Sequence, residues 1–104
     1  MALLDGQVCL VTGAGQGLGR AVAREMSAEG AHVVLLERNP DTLSAVKAEI
    51  EAMGRAADGY ALDVTDHEAY AEIVAEVVAR HGAIHALVNN AAISPPSHTI
   101  LDGT

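Results

Sequence analysis

The chain has 104 residues, half of them hydrophobic, with a formal net charge of -8 and one cysteine. This length allows one domain with a modest core, and the acidic balance excludes nucleic acid as a partner because no basic stripe can neutralise its phosphates. A single cysteine excludes an intramolecular disulfide. No apolar run approaches the length needed to span a membrane and no leader pattern is present, so we expect a cytoplasmic protein without a membrane partner.

The first predicted elements are a buried strand, a turn rich in glycine and a helix. Residues 8–12 begin with four apolar residues in a row, which predicts a strand buried on both faces in the middle of a parallel sheet. Cys9 in this strand is interpreted as a small buried hydrophobe rather than a nucleophile. A helix is predicted over residues 17–29, ended by Gly30. Its predicted buried face comprises Leu18, Val22 and Met26.

The next two units repeat this alternation. An apolar strand over residues 31–36 precedes Asn39-Pro40-Asp41, a helix start with an N-cap, a proline at the first position and an acid in the first turn. Residues 57–62 are poor in aliphatic side chains and predict an edge strand. The intervening helix carries apolar residues at 3-4-3 spacing and is ended by Gly54; these residues are Leu43, Val46, Ile50 and Met53.

The last predicted helix and strand complete the pattern. Thr65 and Glu68 predict a capping box for a helix that runs to about His81, and residues 83–88 predict the fourth strand. The alternation implies an α/β fold: a Rossmann-type, doubly wound parallel sheet of four strands in the order 3-2-1-4 with three helices. We expect a partial dinucleotide-binding domain over residues 1–93, without a fifth strand, and a loop over residues 94–104.

The turn between the first strand and helix points backbone N–H groups and a positive helix end toward one place, which suits a phosphate. The only lysine, Lys47, does not follow a glycine, which excludes a P-loop; Leu18 and Arg20 stand where the common G-x-G-x-x-G fingerprint needs glycine. The chain has Thr12-Gly13-x-x-x-Gly17-x-Gly19 instead. Its glycines turn the chain, let backbone approach phosphates and allow close contact between helix and sheet.

Polar residues follow each of the other predicted strands. Glu37 ends the second strand, 24 residues after Gly13, about where a ribose-binding carboxylate is expected. Asp63-Val64 follows the third strand, and Asn89-Asn90-Ala91-Ala92 follows the fourth. Because the carboxyl ends of parallel strands form the edge where ligands bind, we expect these clusters to lie together.

These four motifs resemble those of the short-chain dehydrogenase/reductase family, in which T-G-x-x-x-G-x-G, a charged selector, D-V and N-N-A-G follow the first four strands. Ala92 stands where glycine is usual and adds only a methyl group. The resemblance implies that the glycine turn holds the pyrophosphate and nearby ribose, that the D-V pair lies against the adenine, and that the last motif lines the path toward the nicotinamide ribose. Asn90 is expected to tie neighbouring strands together. The implied cofactor-binding residues are Gly13, Gln16, Gly17, Leu18, Gly19, Glu37, Arg38, Asp63, Val64, Asn89, Ala91 and Ala92.

Glu37 favours NAD as the cofactor. A carboxylate accepts hydrogen bonds from both hydroxyls of the adenine ribose, whereas the 2′-phosphate of NADP brings like charges into contact. Arg38 favours the opposite choice because a guanidinium pairs with that phosphate. Since Gln16 stands where NADP-preferring relatives often carry a basic residue, we expect NAD, with NADP less favoured.

Residues for the chemical step are not found. The family's Y-x-x-x-K motif, in which lysine lowers the tyrosine pKa, does not occur, because Val64 and Val74 stand four residues after Tyr60 and Tyr70. No histidine pair has metal-ligand spacing, so neither a metal site nor a catalytic residue is predicted.

The resemblance implies that the complete protein transfers a hydride between the nicotinamide and a small alcohol or carbonyl substrate, as a homo-oligomer (dimer or tetramer). The 104 residues alone are expected to be inactive and marginally stable, because the fourth strand would have an unpaired edge. A stand-alone, non-catalytic module that binds NAD and contacts a partner is the alternative.

Overall fold

The structure, a computed structural model, describes residues 3–15 and 17–89. Its strands and helices alternate as β1 (Val8–Thr12), α1 (Gly17–Ala28), β2 (His32–Glu37), α2 (Pro40–Ala52), β3 (Ala57–Ala61), α3 (His67–His81) and β4 (Ala86–Asn89). The strands are parallel and lie in the order β3-β2-β1-β4, which confirms the predicted fold class. The predicted residues outside the described part are Gln16, Asn90, Ala91, Ala92 and the loop over 94–104.

The two central strands, β1 and β2, carry the core. All of β1 is buried, as is β2 after its first residue. Their side chains alternate between the two faces of the sheet. One face packs against α1 and α2 through Cys9, Val11, Val33, Leu35, Ala23, Val46 and Ile50. The other packs against α3 through Val8, Leu10, Val34, Leu36 and Val77. Each fully buried aliphatic side chain contributes about 1.5–3 kcal/mol, so the helical layers on both faces stabilise the sheet whose edge is described below.

The start of α2 agrees with the prediction. The Asn39 side chain accepts hydrogen bonds from the backbone N–H groups of Asp41 at 2.9 Å and Thr42 at 3.3 Å, and Pro40 is the first helical residue. This cap fixes the direction in which the chain leaves β2, immediately after Glu37. Nothing in the described helices is long and apolar enough to cross a membrane.

The predicted buried face of α1 is wrong for Leu18, whereas Val22 and Met26 are half-buried and Met26 packs against the core. Leu18 is 70% exposed, and the buried residues are Gly19, Ala23 and Ser27, one position further along the helix. These small residues let the helix axis approach the sheet closely, which larger side chains would prevent. The spacing of the large apolar residues therefore identifies the stripe next to the one that is most deeply buried.

The predicted cap of α3 is also wrong, by one residue. Asp66 is the N-cap, and its carboxylate accepts from the N–H of Ala69 at 3.2 Å. Thr65 is unavailable because its hydroxyl donates to Asp63 at 2.8 Å. β4 is shorter than predicted, and the preceding His85 exchanges hydrogen bonds with Val8 through its backbone N–H and ring Nδ1.

Candidate functional site

The carboxyl ends of the four parallel strands meet at one border of the sheet, called here the carboxyl edge. The register pairs Thr12 with Leu36 on one side and with Asn89 on the other, and pairs Glu37 with Ala61. The turn after β1, the end of β2, the segment after β3 and the end of β4 consequently lie side by side. The described members of the predicted site are brought together at this edge.

The turn after β1 has a backbone that requires glycine at two positions. Gly13 and Gly17 have φ angles of 62° and 49°, in the left-handed region where a side chain is strained. The N–H of Ala14 donates to the carbonyl oxygen of Leu36 at 3.2 Å and holds the turn against β2. α1 has no acidic residue in its first turn, so its positive end retains its attraction for an anion.

Two neighbouring residues at the start of α1 have opposite environments. Gly19 is buried, where the absence of a side chain permits close contact between α1 and the sheet. Leu18 is exposed and presents an apolar side chain beside the first turn of the helix. Leu18, for which a cofactor contact is predicted, is therefore open to solvent. Gly19 is predicted to allow close packing of α1 on the sheet, and it is buried.

The carboxylate of Glu37 is fastened at the centre of the carboxyl edge. One oxygen accepts from the N–H of Gly15 at 3.1 Å, and the other accepts from the N–H of Asn39 at 2.9 Å. Glu37 is only 5% exposed, and among the described residues it has no ion-pair partner. Each carboxylate oxygen has a second lone pair, so the group can still accept hydrogen bonds from ligand hydroxyls.

Gly15 is a site residue that the sequence motif did not identify. A Cβ atom on Gly15 would lie 2.8 Å from Cγ of Glu37 and 2.8 Å from Oγ1 of Thr42, closer than any ordinary contact. Gly15 thus gives the glutamate one of its two hydrogen-bond donors and the space for its side chain. The signal was a fourth glycine in the turn, one that the spacing of Gly13, Gly17 and Gly19 does not explain.

Asp63 and Arg38 lie on the exposed side of the site. Oδ1 of Asp63 accepts from the backbone N–H of Thr65 at 3.0 Å and from its hydroxyl at 2.8 Å. These two hydrogen bonds, with the positive charge of Arg38, hold the pKa of Asp63 below its ordinary value. Asp63 therefore stays an acceptor at neutral pH, and Arg38 is close enough for its charge to act on that carboxylate. Val64 follows, half-buried.

Asn89 contacts the end of β1. The hydroxyl of Thr12 lies 3.0 Å from Oδ1 of Asn89 and 3.3 Å from the carbonyl oxygen of Val88, so it links the two strands. The sequence interpretation gave this strand-linking role to Asn90, which is outside the described residues. In the structure Asn89 makes the strand-linking contact with Thr12. Its role on the path to the nicotinamide ribose stays a prediction.

Both tyrosines are unsuited to acid–base chemistry near neutral pH. The hydroxyl of Tyr60 donates to Glu76 at 2.5 Å, and this hydrogen bond raises the tyrosine pKa. Burial raises the pKa of Tyr70. A catalytic tyrosine needs a lowered pKa, so this edge provides glycine amides, a helix end and acceptors for binding, and no described tyrosine for proton transfer.

Comparison with known proteins gives consistent matches. A family model described as short chain dehydrogenase matches residues 7–102. The chain is 38% identical over 101 residues to the 2,3-dihydro-2,3-dihydroxybenzoate dehydrogenase of Bacillus subtilis (strain 168), which covers 95% of this chain and 39% of that protein.

Solved structures agree with the sequence matches. A metagenomic short-chain oxidoreductase in complex with NADP superposes with a TM-score of 0.82 and 44% identity, over 86% of this chain and 41% of its own. NAD+-bound xylitol dehydrogenase superposes with a TM-score of 0.78 and 39% identity, over 82% of this chain and 33% of its own. The chain therefore spans less than half the length of each of these proteins.

Proposed function

The chain belongs to the short-chain dehydrogenase family, and from that premise we propose that it carries the NAD(H)-binding part of an oxidoreductase. The complete protein transfers a hydride between the nicotinamide and a small alcohol or carbonyl substrate, and it works as a homo-oligomer. Because the chain spans 39% of its Bacillus subtilis relative, the chemical step and its catalytic residues are assigned to the whole protein.

The proposed roles follow the positions along the carboxyl edge. The amides of the glycine turn and the start of α1 hold the pyrophosphate, Asp63 and Val64 lie against the adenine, and Asn89 lies on the path to the nicotinamide ribose. Glu37 holds the adenine ribose. The nicotinamide, when bound, supplies or accepts the hydride. Gln16, Ala91 and Ala92 keep their predicted roles as part of this proposal.

The buried carboxylate of Glu37 is the observation that carries the choice of NAD. Two backbone amides hold it in place, and one acceptor position remains on each oxygen for the 2′- and 3′-hydroxyls of the ribose. The solved relatives include one NADP complex and one NAD+ complex, so the choice has to rest on the residues of this chain.

The cost of NADP can be bounded. Two unit charges about 4 Å apart repel each other by about 1 kcal/mol in bulk water and by about 4 kcal/mol at an effective dielectric constant of about 20. Since about 1.4 kcal/mol is ten-fold in affinity, Glu37 is expected to disfavour NADP by about five-fold to several hundred-fold. Arg38 reduces this preference, but its charge also acts on Asp63.

Calorimetric titration of the protein with NAD and with NADP tests this proposal. Glu37→Gln keeps the size of the side chain and removes its charge, and its NH2 group replaces one of the two oxygens that accept from Gly15 and Asn39. Without the negative charge, the ratio of the two dissociation constants should shift toward NADP by about five-fold or more. Glu72→Gln, an exposed glutamate of α3, is the matched control and should leave the ratio unchanged. A ratio that is the same in Glu37→Gln and in the unmodified protein contradicts the assignment.

A further inference from the structure

Two histidines and an aspartate converge at the amino ends of β2 and β3, the border of the sheet opposite the carboxyl edge. Nε2 of His32 lies 3.0 Å from Oδ2 of Asp58, and Nε2 of His81 lies 3.2 Å from the same oxygen. The two imidazole rings have centroids 4.4 Å apart. We call these three residues the His-Asp-His cluster.

The topology explains why these residues meet. His32 is the first residue of β2, and Val34, two residues later and so on the same face of the strand, faces α3. Asp58 pairs with Val34 across the two strands and lies on the same face. His81 is the last residue of α3, which ends over that face at Gly82. His32 and His81 lie 26 and 23 residues from Asp58 in the sequence. Residues so far apart form no recognisable motif, which is why the spacing of the histidines predicted no metal site.

The donor atoms and their spacing suit a metal ion. The three candidate ligand atoms all lie within 4.8 Å of one another. Around a tetrahedral zinc ion with bonds of about 2.0–2.1 Å, neighbouring ligand atoms are about 3.3 Å apart. The separations of 3.0 Å and 3.2 Å are close to that value, and the two imidazole nitrogens lie within 4.8 Å of each other, so side-chain rotations that bring the rings closer would place all three atoms at bonding distance.

The environment of the cluster also favours a cation. The side chains are 27%, 24% and 22% exposed for His32, Asp58 and His81, so solvent reaches them while they are partly desolvated. The cluster adjoins the carboxyl-terminal end of α3, where the helix dipole attracts positive charge. The positive charge of Arg80 lies nearby and would repel a cation, but its guanidinium contacts the hydroxyl of Tyr60 and the carboxylate of Glu76.

We propose that His32, Asp58 and His81 bind one divalent transition-metal ion of the zinc class. Two imidazole nitrogens and one carboxylate oxygen form the donor set that such ions prefer, with water completing the coordination. The ion would connect β2, β3 and the end of α3, and so fasten α3 to the sheet. The site is independent of the carboxyl edge, so the cofactor proposal stands or falls separately.

Calorimetric titration of the chelator-treated, tag-free protein with Zn²⁺ tests the proposal, with Co²⁺ as a spectroscopic probe of the ligand field. We expect one equivalent of Zn²⁺ and the visible absorption of cobalt bound by nitrogen and oxygen. Asp58→Asn and His81→Gln should each weaken Zn²⁺ binding by at least about ten-fold, a loss that even removal of an outer partner of a metal ligand can cause.

His67→Gln is the matched control, because His67 is exposed at the opposite end of α3. It should bind Zn²⁺ as the unmodified protein does. Asp58→Asn conserves side-chain size and His81 lies at a helix end, so circular dichroism should show both variants folded. Absence of stoichiometric binding in the unmodified protein, or unchanged affinity in a folded variant, overturns the proposal and leaves a carboxylate hydrogen-bonded to two histidines.

Discussion

Replacing Gly15 with alanine perturbs the most confined contact of the carboxyl edge. The new Cβ would lie 2.8 Å from Cγ and 2.9 Å from Cδ of Glu37. These atoms cannot simply rotate away, because the carboxylate beyond them accepts hydrogen bonds from Gly15 and Asn39. The substitution therefore forces either an overpacked contact or the loss of at least one hydrogen bond to a charged group.

The magnitude follows from these two routes. Overpacking costs about 1–3 kcal/mol, and a hydrogen bond to a charged group contributes about 1.5–3 kcal/mol. The steric and hydrogen-bond cost of Gly15→Ala is therefore about 1.5–3 kcal/mol. The φ angle of Gly15 is not positive, so alanine strains no backbone there and gains about 0.4–1 kcal/mol from the unfolded chain. This gain leaves a net loss in the free energy of unfolding of about 0.5–2.6 kcal/mol.

A double-mutant cycle separates the steric clash from other effects. Urea denaturation would be measured for Gly15→Ala, Glu37→Ala, the double variant and the unmodified protein. In the Glu37→Ala background the clash with the glutamate is gone and the contact with Oγ1 of Thr42 remains, so the cost of Gly15→Ala should fall by about 1–2 kcal/mol, which is the expected coupling. Additive effects in the cycle would refute the contact between Gly15 and Glu37.

Three further substitutions or treatments test other parts of the structure. Ser27 is fully buried and its hydroxyl finds no hydrogen-bond partner in the described part of the chain. Ser27→Ala should therefore raise the free energy of unfolding by about 1 kcal/mol in thermal or urea denaturation, more than the few tenths expected for the exposed control Ser44→Ala. A loss of stability in Ser27→Ala would contradict this. Thr65→Val removes one hydroxyl donor and should raise the pKa of Asp63 in an NMR titration, whereas Thr65→Ser should not. Because folding lowers this pKa, the stabilisation by Asp63 is present above its unfolded pKa of about 3.9 and is lost as the pH falls through the lower folded value. Equal pKa values of Asp63 in the Thr65→Val and Thr65→Ser variants would refute the role of the hydroxyl. Cys9 has no exposed surface, and burial raises the pKa of its thiol, so a thiol reagent should react only when denaturant is added, and rapid reaction of the native protein would contradict its burial.

The sequence predicts the frame of this protein because its strongest signals are local. The apolar run of β1, the cap at Asn39 and the alternation of elements each depend on neighbouring residues, and strand order follows from the rules for parallel crossovers. Leu18 shows where local reasoning fails. The stripe that α1 buries is chosen by how closely the helix can approach the sheet, and small residues decide that distance.

The sequence predicted which residues lie at the carboxyl edge but not their contacts. Spacing and strand ends identified Glu37, and the structure adds that backbone amides of Gly15 and Asn39 hold it, which no side-chain pattern encodes. The His-Asp-His cluster was missed for a related reason. Its members come from three elements and meet only because the register and the end of α3 bring them together.

The amide resonance of Gly15 gives the most direct test of the central claim, that NAD binds at the carboxyl edge with its adenine ribose on Glu37. This N–H donates to the carboxylate that should receive the ribose hydroxyls. On titration with NAD, we expect the amide signals of Gly15 and the start of α1 to shift, while Gly82 at the opposite border stays unchanged. NAD binding that leaves the Gly15 resonance in place, or that shifts Gly82 instead, would contradict the account.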